Sequence, residues 1–184
     1  SVLLPYLFSI TIISYMVYAF LGTESGFLNH SVLQTLNIAP IKWYSTPRCW
    51  PWILIFVNLW KGTGYSCLIY IAALNGIDQE LFEAADLDGA GKWKQFVHIM
   101  IPALIPSVIT MVMLNVGKIF FSDFGLFYQV PMNSGVLISA TQTMDTFVYR
   151  MLINVGNIGM SSAASVLQSI AGFCVVLLAN GVVR

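Results

Sequence analysis

Long apolar runs separated by polar stretches dominate the chain. Four of these runs are each long enough, at 1.5 Å per residue, to cross a hydrocarbon core of roughly 30 Å. They predict transmembrane helices over about 3–21, 50–74, 103–121 and 163–183. No internal repeat is visible. The predicted fold is therefore all-α, a polytopic bundle of transmembrane helices in a single domain over residues 1–184.

Two polar connections join these runs. Residues 22–49 predict a loop with one short interfacial helix near 31–36. Residues 122–162 are rich in Gly, Asn and Thr and predict a longer loop with a helix around 136–152. Both connections are expected on the same side of the membrane, because two predicted spans separate them.

The segment 76–102 also interrupts the apolar pattern, because charged residues are concentrated in it. Asp78 can cap the free backbone N–H groups at a helix start. Glu80 would then lie in the first turn, where the helix dipole favours an acid. The pattern predicts a short helix over 79–87 that Gly89 ends, since glycine adopts the left-handed conformation freely.

A second short helix is predicted after this corner, ending before Pro102. Its apolar residues recur at helical spacing, at Trp93, Phe96, Val97 and Met100. The first helix carries acids, and the second carries Lys92 and Lys94. Two short helices that meet at a corner and project from a membrane bundle suit contact with a soluble partner better than they suit catalysis.

The amino-acid composition is typical of a protein embedded in the lipid bilayer. The 184 residues are 58% hydrophobic and 9% charged, with a mean hydropathy of +0.80, whereas soluble domains carry about 25% charged residues. Eight basic and eight acidic residues give a net charge of zero. This balance argues against a nucleic-acid-binding surface.

Cysteine and histidine give no sign of a disulfide or a metal site. Cys49, Cys67 and Cys174 are far apart in the sequence, and His30 and His98 lack ligand spacing. Cys67 and Cys174 fall inside predicted spans, where we expect buried thiols that pack as small hydrophobic groups.

The central segment matches the spacing of a known family motif. Its matching residues are Glu83, Ala84, Ala85, Gly89, Ile99, Ile101 and Pro102. This pattern resembles the cytoplasmic EAA loop of binding-protein-dependent ABC importer permeases. Ile101 departs from the leucine usual in the family, a swap of similar volume. The segments 72–78 and 145–150 extend the resemblance to permeases for complex sugars and polysaccharides of the LplB type.

The resemblance implies a type I ABC importer transmembrane domain, truncated at the N-terminus and holding the later four of about six spans. Such a chain would be a multi-pass permease of a prokaryotic plasma or inner membrane that imports a sugar, oligosaccharide or polysaccharide. Motion would enter from the ATPase through coupling residues of the central loop, namely Glu83, Ala84, Ala85, Asp88, Gly89, Ile99 and Pro102.

The chain itself is not expected to be an enzyme or to hold a cofactor. The segments 91–93 and 117–119 lack the upstream glycine and the following Ser or Thr of a nucleotide-binding loop. The resemblance implies that partner ABC ATPase subunits bind and hydrolyse the ATP. It also implies a second permease subunit, of the same or a different chain, and an extracellular or periplasmic solute-binding protein, with membrane lipid around them.

Polar residues inside the predicted spans are candidates for a translocation path. They are Asn58, Lys61, Tyr65, Asn115 and Lys118. A charge at mid-bilayer costs about 2.5–3.5 kcal/mol and should face a cavity or a partner. These side chains could bind sugar hydroxyls. Alternatively, Lys61 pairs within the structure or with another subunit, and Lys118 reaches the membrane boundary beside Asp123.

Several features leave alternatives open. Four aromatic residues are typical of a membrane-interface belt but could stack on sugar rings or touch a binding protein: Trp43, Tyr44, Trp50 and Trp52. Basic residues do not decide orientation, and the resemblance alone makes the loop 76–102 cytoplasmic. Another solute, such as an amino acid or phosphate, remains open. So does a membrane scaffold or channel that recruits a cytoplasmic partner without ATP-driven transport.

Overall fold

The computed structural model describes residues 3–183, and they contain helices and turns but no strand. The all-α prediction is confirmed. The α-helices in this range are α1 (Leu4–Leu7), α2 (Ile10–Leu21), α3 (Trp50–Asn75), α4 (Gln79–Leu87), α5 (Lys92–Gln95), α6 (Ile101–Gly117), α7 (Ile138–Thr141), α8 (Met144–Arg150) and α9 (Ile158–Val183).

Three helical stretches are long and apolar enough to cross a membrane. They are Pro47–Asn75, Lys92–Gly117 and Ile158–Gly181. The first contains α3, which covers the predicted range 50–74 and ends at Asn75 with Gly76 as its C-cap. These stretches alternate in direction, so the central loop lies at one end of the bundle and residues 22–49 and 122–157 lie at the other.

The first apolar run is two helices rather than one. Between α1 and α2, Ser9 has ψ 143°, outside the helical range, and its side chain accepts a hydrogen bond from the Thr11 N–H at 3.3 Å. α2 has 12 residues and is about 18 Å long. The prediction of a continuous helix over 3–21 is therefore wrong, because Ser9 caps a new helix within it.

The helix of the third predicted span, α6, begins and ends earlier than the predicted range 103–121. A π-helical turn at Phe96–Met100 joins α5 to α6, and the Ile101 N–H donates to the Phe96 carbonyl. This wider turn accommodates Pro102, which has no N–H to donate. The second loop helix therefore continues through Pro102, contrary to the prediction that it stops there.

Two capping residues alter the predicted helices after α6. The helix expected over 136–152 is broken, because Thr143 starts α8 with a capping box that includes Thr146. α9 starts before residue 163, because Asn157 Oδ1 accepts a hydrogen bond from a first-turn backbone N–H at 2.9 Å. Both differences from the prediction follow from local caps that set where a helix starts.

The hydrophobic core lies at the end of the bundle opposite the central loop. Its buried members are Ile13, Trp50, Leu54, Val57, Leu126, Val130 and Leu137. Trp50 is fully buried, and its indole N–H donates to the Trp43 carbonyl at 2.9 Å. Trp50 is thus a core residue, contrary to the belt prediction, whereas Trp52 is exposed. Residues 122–162, expected to be an external loop, supply part of this core.

Asn29 organises the connection 22–49. Its side chain donates to the Ile41 carbonyl at 2.9 Å and accepts from the Ile41 N–H at 3.1 Å and the Trp43 indole at 3.2 Å. The short helix in this connection is a π-helical turn at Leu28–Leu33. It lies before the predicted position near 31–36, because the bonds from Asn29 fold the following residues back across it.

A polar network ties the residues just after α6 to α8 and α9. Asp145 Oδ2 accepts from the Ser122 N–H at 2.6 Å, and Oδ1 accepts from Gln168 Nε2 at 3.1 Å. Buried Gln168 also donates to the Phe120 carbonyl at 2.6 Å. Burial alone would raise the pKa of Asp145, but the hydrogen bonds from Ser122 and Gln168 lower it overall.

The three cysteines are free, and their exposure differs from the prediction. Cys49 is half-buried, whereas Cys67 on α3 and Cys174 on α9 are exposed. The expectation that the last two are buried is wrong, because those helix faces are not covered by other parts of the described chain. Lipid or another subunit must cover them in the membrane.

We expect Asp145→Asn to destabilise the fold by about 1–3 kcal/mol at pH 7, because one acceptor oxygen becomes a donor facing other donors. A carboxyl group with a lowered folded-state pKa contributes stability above its unfolded pKa of about 4, and that stability is lost as the pH falls through the folded value. The difference from wild type should therefore shrink below about pH 4.

Thermal unfolding of the detergent-solubilised protein at pH 7 and pH 3 measures this difference. Glu24→Gln is the control, since Glu24 is exposed. Equal midpoints for wild type and Asp145→Asn at pH 7 would contradict the role given to the network.

Candidate functional site

The central loop begins with a short capped helix. Asp78 Oδ1 accepts a hydrogen bond from the Glu80 N–H at 3.2 Å, and α4 covers Gln79–Leu87. The cap satisfies one of the N–H groups that have no partner within the helix. The predicted helix and its N-terminal cap are both confirmed.

Gly89 forms the corner after α4. Its N–H donates to the Asp86 carbonyl at 3.1 Å, and the Ala90 N–H donates to the Ala85 carbonyl at 2.9 Å. This pair of bonds satisfies carbonyls left free at the helix end. Gly89 has φ 71°, a left-handed conformation that costs other residues roughly 1–2 kcal/mol. The prediction that Gly89 ends the helix is confirmed.

Gln95 joins the two arms of the corner. Its side chain is only 3% exposed, and Nε2 donates both to Asp86 Oδ1 on α4 and to the Ala90 carbonyl at 3.1 Å. Lys92 Nζ lies 3.4 Å from Gln95 Oε1 and 3.8 Å from Asp86 Oδ1. We call these contacts the Gln95 clamp. Sequence reasoning missed it, because a polar residue among Trp93 and Phe96 carries no local signal of burial.

One surface of the loop is left uncovered. Glu83 and Ala84 are exposed, as are two large apolar side chains, Leu87 at 90% and Trp93 at 75%. Exposed apolar side chains beside a carboxylate are typical of a surface that binds another protein. The small side chain of Ala84 leaves the helix backbone accessible to a partner.

A shallow cleft of 390 Å³ lies inside the corner. It is lined by Ala85, Asp88, Ala90, Lys94, Gln95, His98 and Ile99. Three predicted coupling residues, Ala85, Asp88 and Ile99, therefore meet at this cleft. Pro102 does not line it and is exposed in the first turn of α6. Ile101, a further motif residue, does not line it either and is 41% exposed.

The path candidates on α3 share one face of that helix. Asn58, Lys61 and Tyr65 are three and four residues apart, a spacing that brings side chains together. Lys61 is half-buried. Tyr65 stacks on Tyr6 of α1, with ring centroids 4.9 Å apart and planes at 17°. The stack adds an aromatic surface that the sequence did not indicate.

The candidates on α6 have less distinctive surroundings. Asn115 Nδ2 donates to the Met111 carbonyl of its own helix at 2.9 Å. Lys118 is exposed and lies just beyond the last residue of α6. This position at a helix end agrees with the alternative that Lys118 reaches the membrane boundary.

Comparison with known proteins identifies the family. The profile described as "Binding-protein-dependent transport system inner membrane component" matches residues 1–184. Protein LplB of Bacillus subtilis (strain 168) is 28% identical over 98% of this chain and 56% of its own length. The polygalacturonan/rhamnogalacturonan transport system permease protein YteP of the same strain is 27% identical over 96% of this chain and 54% of its own.

A solved structure shares the fold. It is a bacterial ABC transporter involved in the import of the acidic polysaccharide alginate, and one chain matches with a TM-score of 0.88 and 25% identity. The match covers 98% of this chain and 62% of that one. The present chain spans about half the length of the curated relatives it matches. It is an integral membrane protein and belongs to the family of binding-protein-dependent transport system inner membrane components.

Proposed function

We propose that the chain is part of the permease subunit of an ATP-driven importer, and that the central loop is its contact with a separate ATPase. The observation that supports this proposal most directly is that α4 has an exposed surface and is joined to α5 by a corner that Gly89 and the Gln95 clamp fix. A partner that moves α4 would also move α5, because hydrogen bonds join the two arms.

The long helix beyond the corner supports transmission of this movement. The stretch Lys92–Gly117 has 26 residues and would measure about 39 Å. α5 passes through the π-helical turn into α6 without a loop. A displacement of the corner would therefore tilt or shift a helix that is long enough to reach the far side of the membrane.

The importer would contain further subunits. The printed sequence has no phosphate-binding loop of the form G-x-x-x-x-G-K-[ST], which supports ATP hydrolysis by partner ABC ATPases on the cytoplasmic side. The family's description as binding-protein-dependent supports delivery of solute by an external binding protein. The exposed apolar faces of α6 and α9 are available to a second permease subunit and to lipid.

The solute is proposed to be a sugar, oligosaccharide or polysaccharide. The name of YteP and the description of the alginate importer both refer to polysaccharides. On α3, Asn58 and Lys61 supply hydrogen-bonding groups, and the Tyr6–Tyr65 stack supplies apolar ring faces. Both chemistries suit a sugar, whose hydroxyls need polar partners and whose ring carbons pack on aromatic faces.

One prediction of this proposal concerns docking of the ATPase. In the complete transporter, Glu83→Lys should lower solute uptake and stimulated ATP hydrolysis roughly tenfold or more, because it removes an acceptor for charge-assisted hydrogen bonds and repels a basic partner. Glu24→Lys makes the same charge change at the opposite end and should have little effect. Unchanged uptake together with unchanged ATPase copurification in Glu83→Lys would contradict the proposed contact.

Another prediction separates docking from transmission. Gln95→Glu should uncouple the transporter, because a carboxylate would replace the amide donor that faces Asp86 and the Ala90 carbonyl. We expect roughly tenfold less solute moved per ATP hydrolysed, with ATPase subunits still copurifying. Adding Asp86→Asn restores a donor opposite Glu and should recover part of the loss.

For both variants, solute uptake and phosphate release are measured in the same proteoliposomes. Normal coupling in Gln95→Glu, or an identical defect in the single and double variants, would contradict the clamp's role.

A further inference from the structure

Lys61 is a charged residue in the middle of a long apolar helix. At 1.5 Å per residue it lies about 16 Å and about 21 Å along α3 from the two helix ends. Neither distance is easily bridged by a lysine side chain reaching for water. The ammonium group must therefore find its anion, or a polar cavity, within the membrane.

This chain supplies no such anion. Its eight acidic residues are Glu24, Asp78, Glu80, Glu83, Asp86, Asp88, Asp123 and Asp145. None lies within the three membrane-crossing stretches. In the part of the chain that the structure describes, the one ion pair joins Lys92 to Asp86 at the corner. An ammonium group in the apolar interior of a membrane is unfavourable without a partner anion, so the partner must come from outside these 184 residues.

The neighbours of Lys61 suggest what that partner is. Asn58 and Tyr65 flank it on the same helix face, and Tyr65 stacks on Tyr6. Both tyrosines remain 44% exposed, so their surfaces are available to a ligand. An aromatic surface, an amide and an ammonium group together match a sugar ring that bears a carboxylate.

We propose that Lys61 is the counter-ion for the carboxylate of a uronic acid unit as an anionic saccharide passes through the permease, an inference that rests on the proposed import function. Asn58 binds a hydroxyl of the same unit, and the Tyr6–Tyr65 stack contacts the ring. A carboxylate from the second permease subunit would also neutralise Lys61. Close helix contact favours small residues, whereas the exposed neighbours here are Asn58 and Tyr65.

The test uses the complete transporter with its ATPases and binding protein in proteoliposomes. Its probes are tetragalacturonate and the neutral tetramer obtained by reducing the carboxyl groups to hydroxymethyl groups. ATP-dependent uptake of tetragalacturonate is expected, with at least tenfold less uptake of the neutral tetramer. Lys61→Met should lower tetragalacturonate uptake about tenfold or more, and Lys61→Arg should retain most of it.

Lys42→Met is the control, because Lys42 is an exposed lysine in the connection 22–49, outside the membrane-crossing stretches. Uptake of neither tetramer, efficient uptake of the neutral one, or full activity of Lys61→Met would overturn the proposal. So would loss of the second permease from purified Lys61→Met, which indicates an inter-subunit ion pair. In any of these cases, copurification of ATPase subunits with the wild-type protein would still support the proposed import function.

Discussion

A buried carboxamide, that of Gln95, holds the two arms of the central loop together. Gln95 donates to both Asp86 and the Ala90 carbonyl, so it joins α4, the corner and α5. The nearby Lys92–Asp86 pair spans 3.8 Å between side chains that are 87% and 58% exposed, and such surface pairs contribute about 0–1 kcal/mol. The rigidity of the corner therefore depends on Gln95 together with the left-handed Gly89, since neither arm packs on the hydrophobic core formed by residues 3–183.

Rigidity at the corner matters because of what lies on either side of it. Toward the exposed side, Glu83 and Leu87 offer a charged and an apolar contact on one short helix. Toward the membrane, the π-helical turn carries the helix past Pro102 without a break. At the far end, Asp145 and Gln168 tie the residues after α6 to α8 and α9. Polar networks therefore lie at both ends of the long helix.

Features with local signals were predictable from the sequence. The helix Gln79–Leu87 has a capping acid before it and a glycine after it, and both act within a few residues. Features that depend on distant partners were not. Gln95 is buried through contacts with Asp86, and Trp50 is buried against residues from α2 and 125–137. Ser9 is an intermediate case, because a serine in an apolar run is compatible with either a helix or a cap.

The most direct test of this account measures the distance between one spin label on the corner and another on the long helix. Labels at Leu87 and Ile109, introduced after replacing Cys49, Cys67 and Cys174, would be compared by double electron–electron resonance in the ATP-free and ATP-trapped states of the proposed importer. A narrow distribution with the same mean in both states is predicted, because the loop and α6 move as one body. A shifted mean or a broad distribution in the trapped state would contradict it.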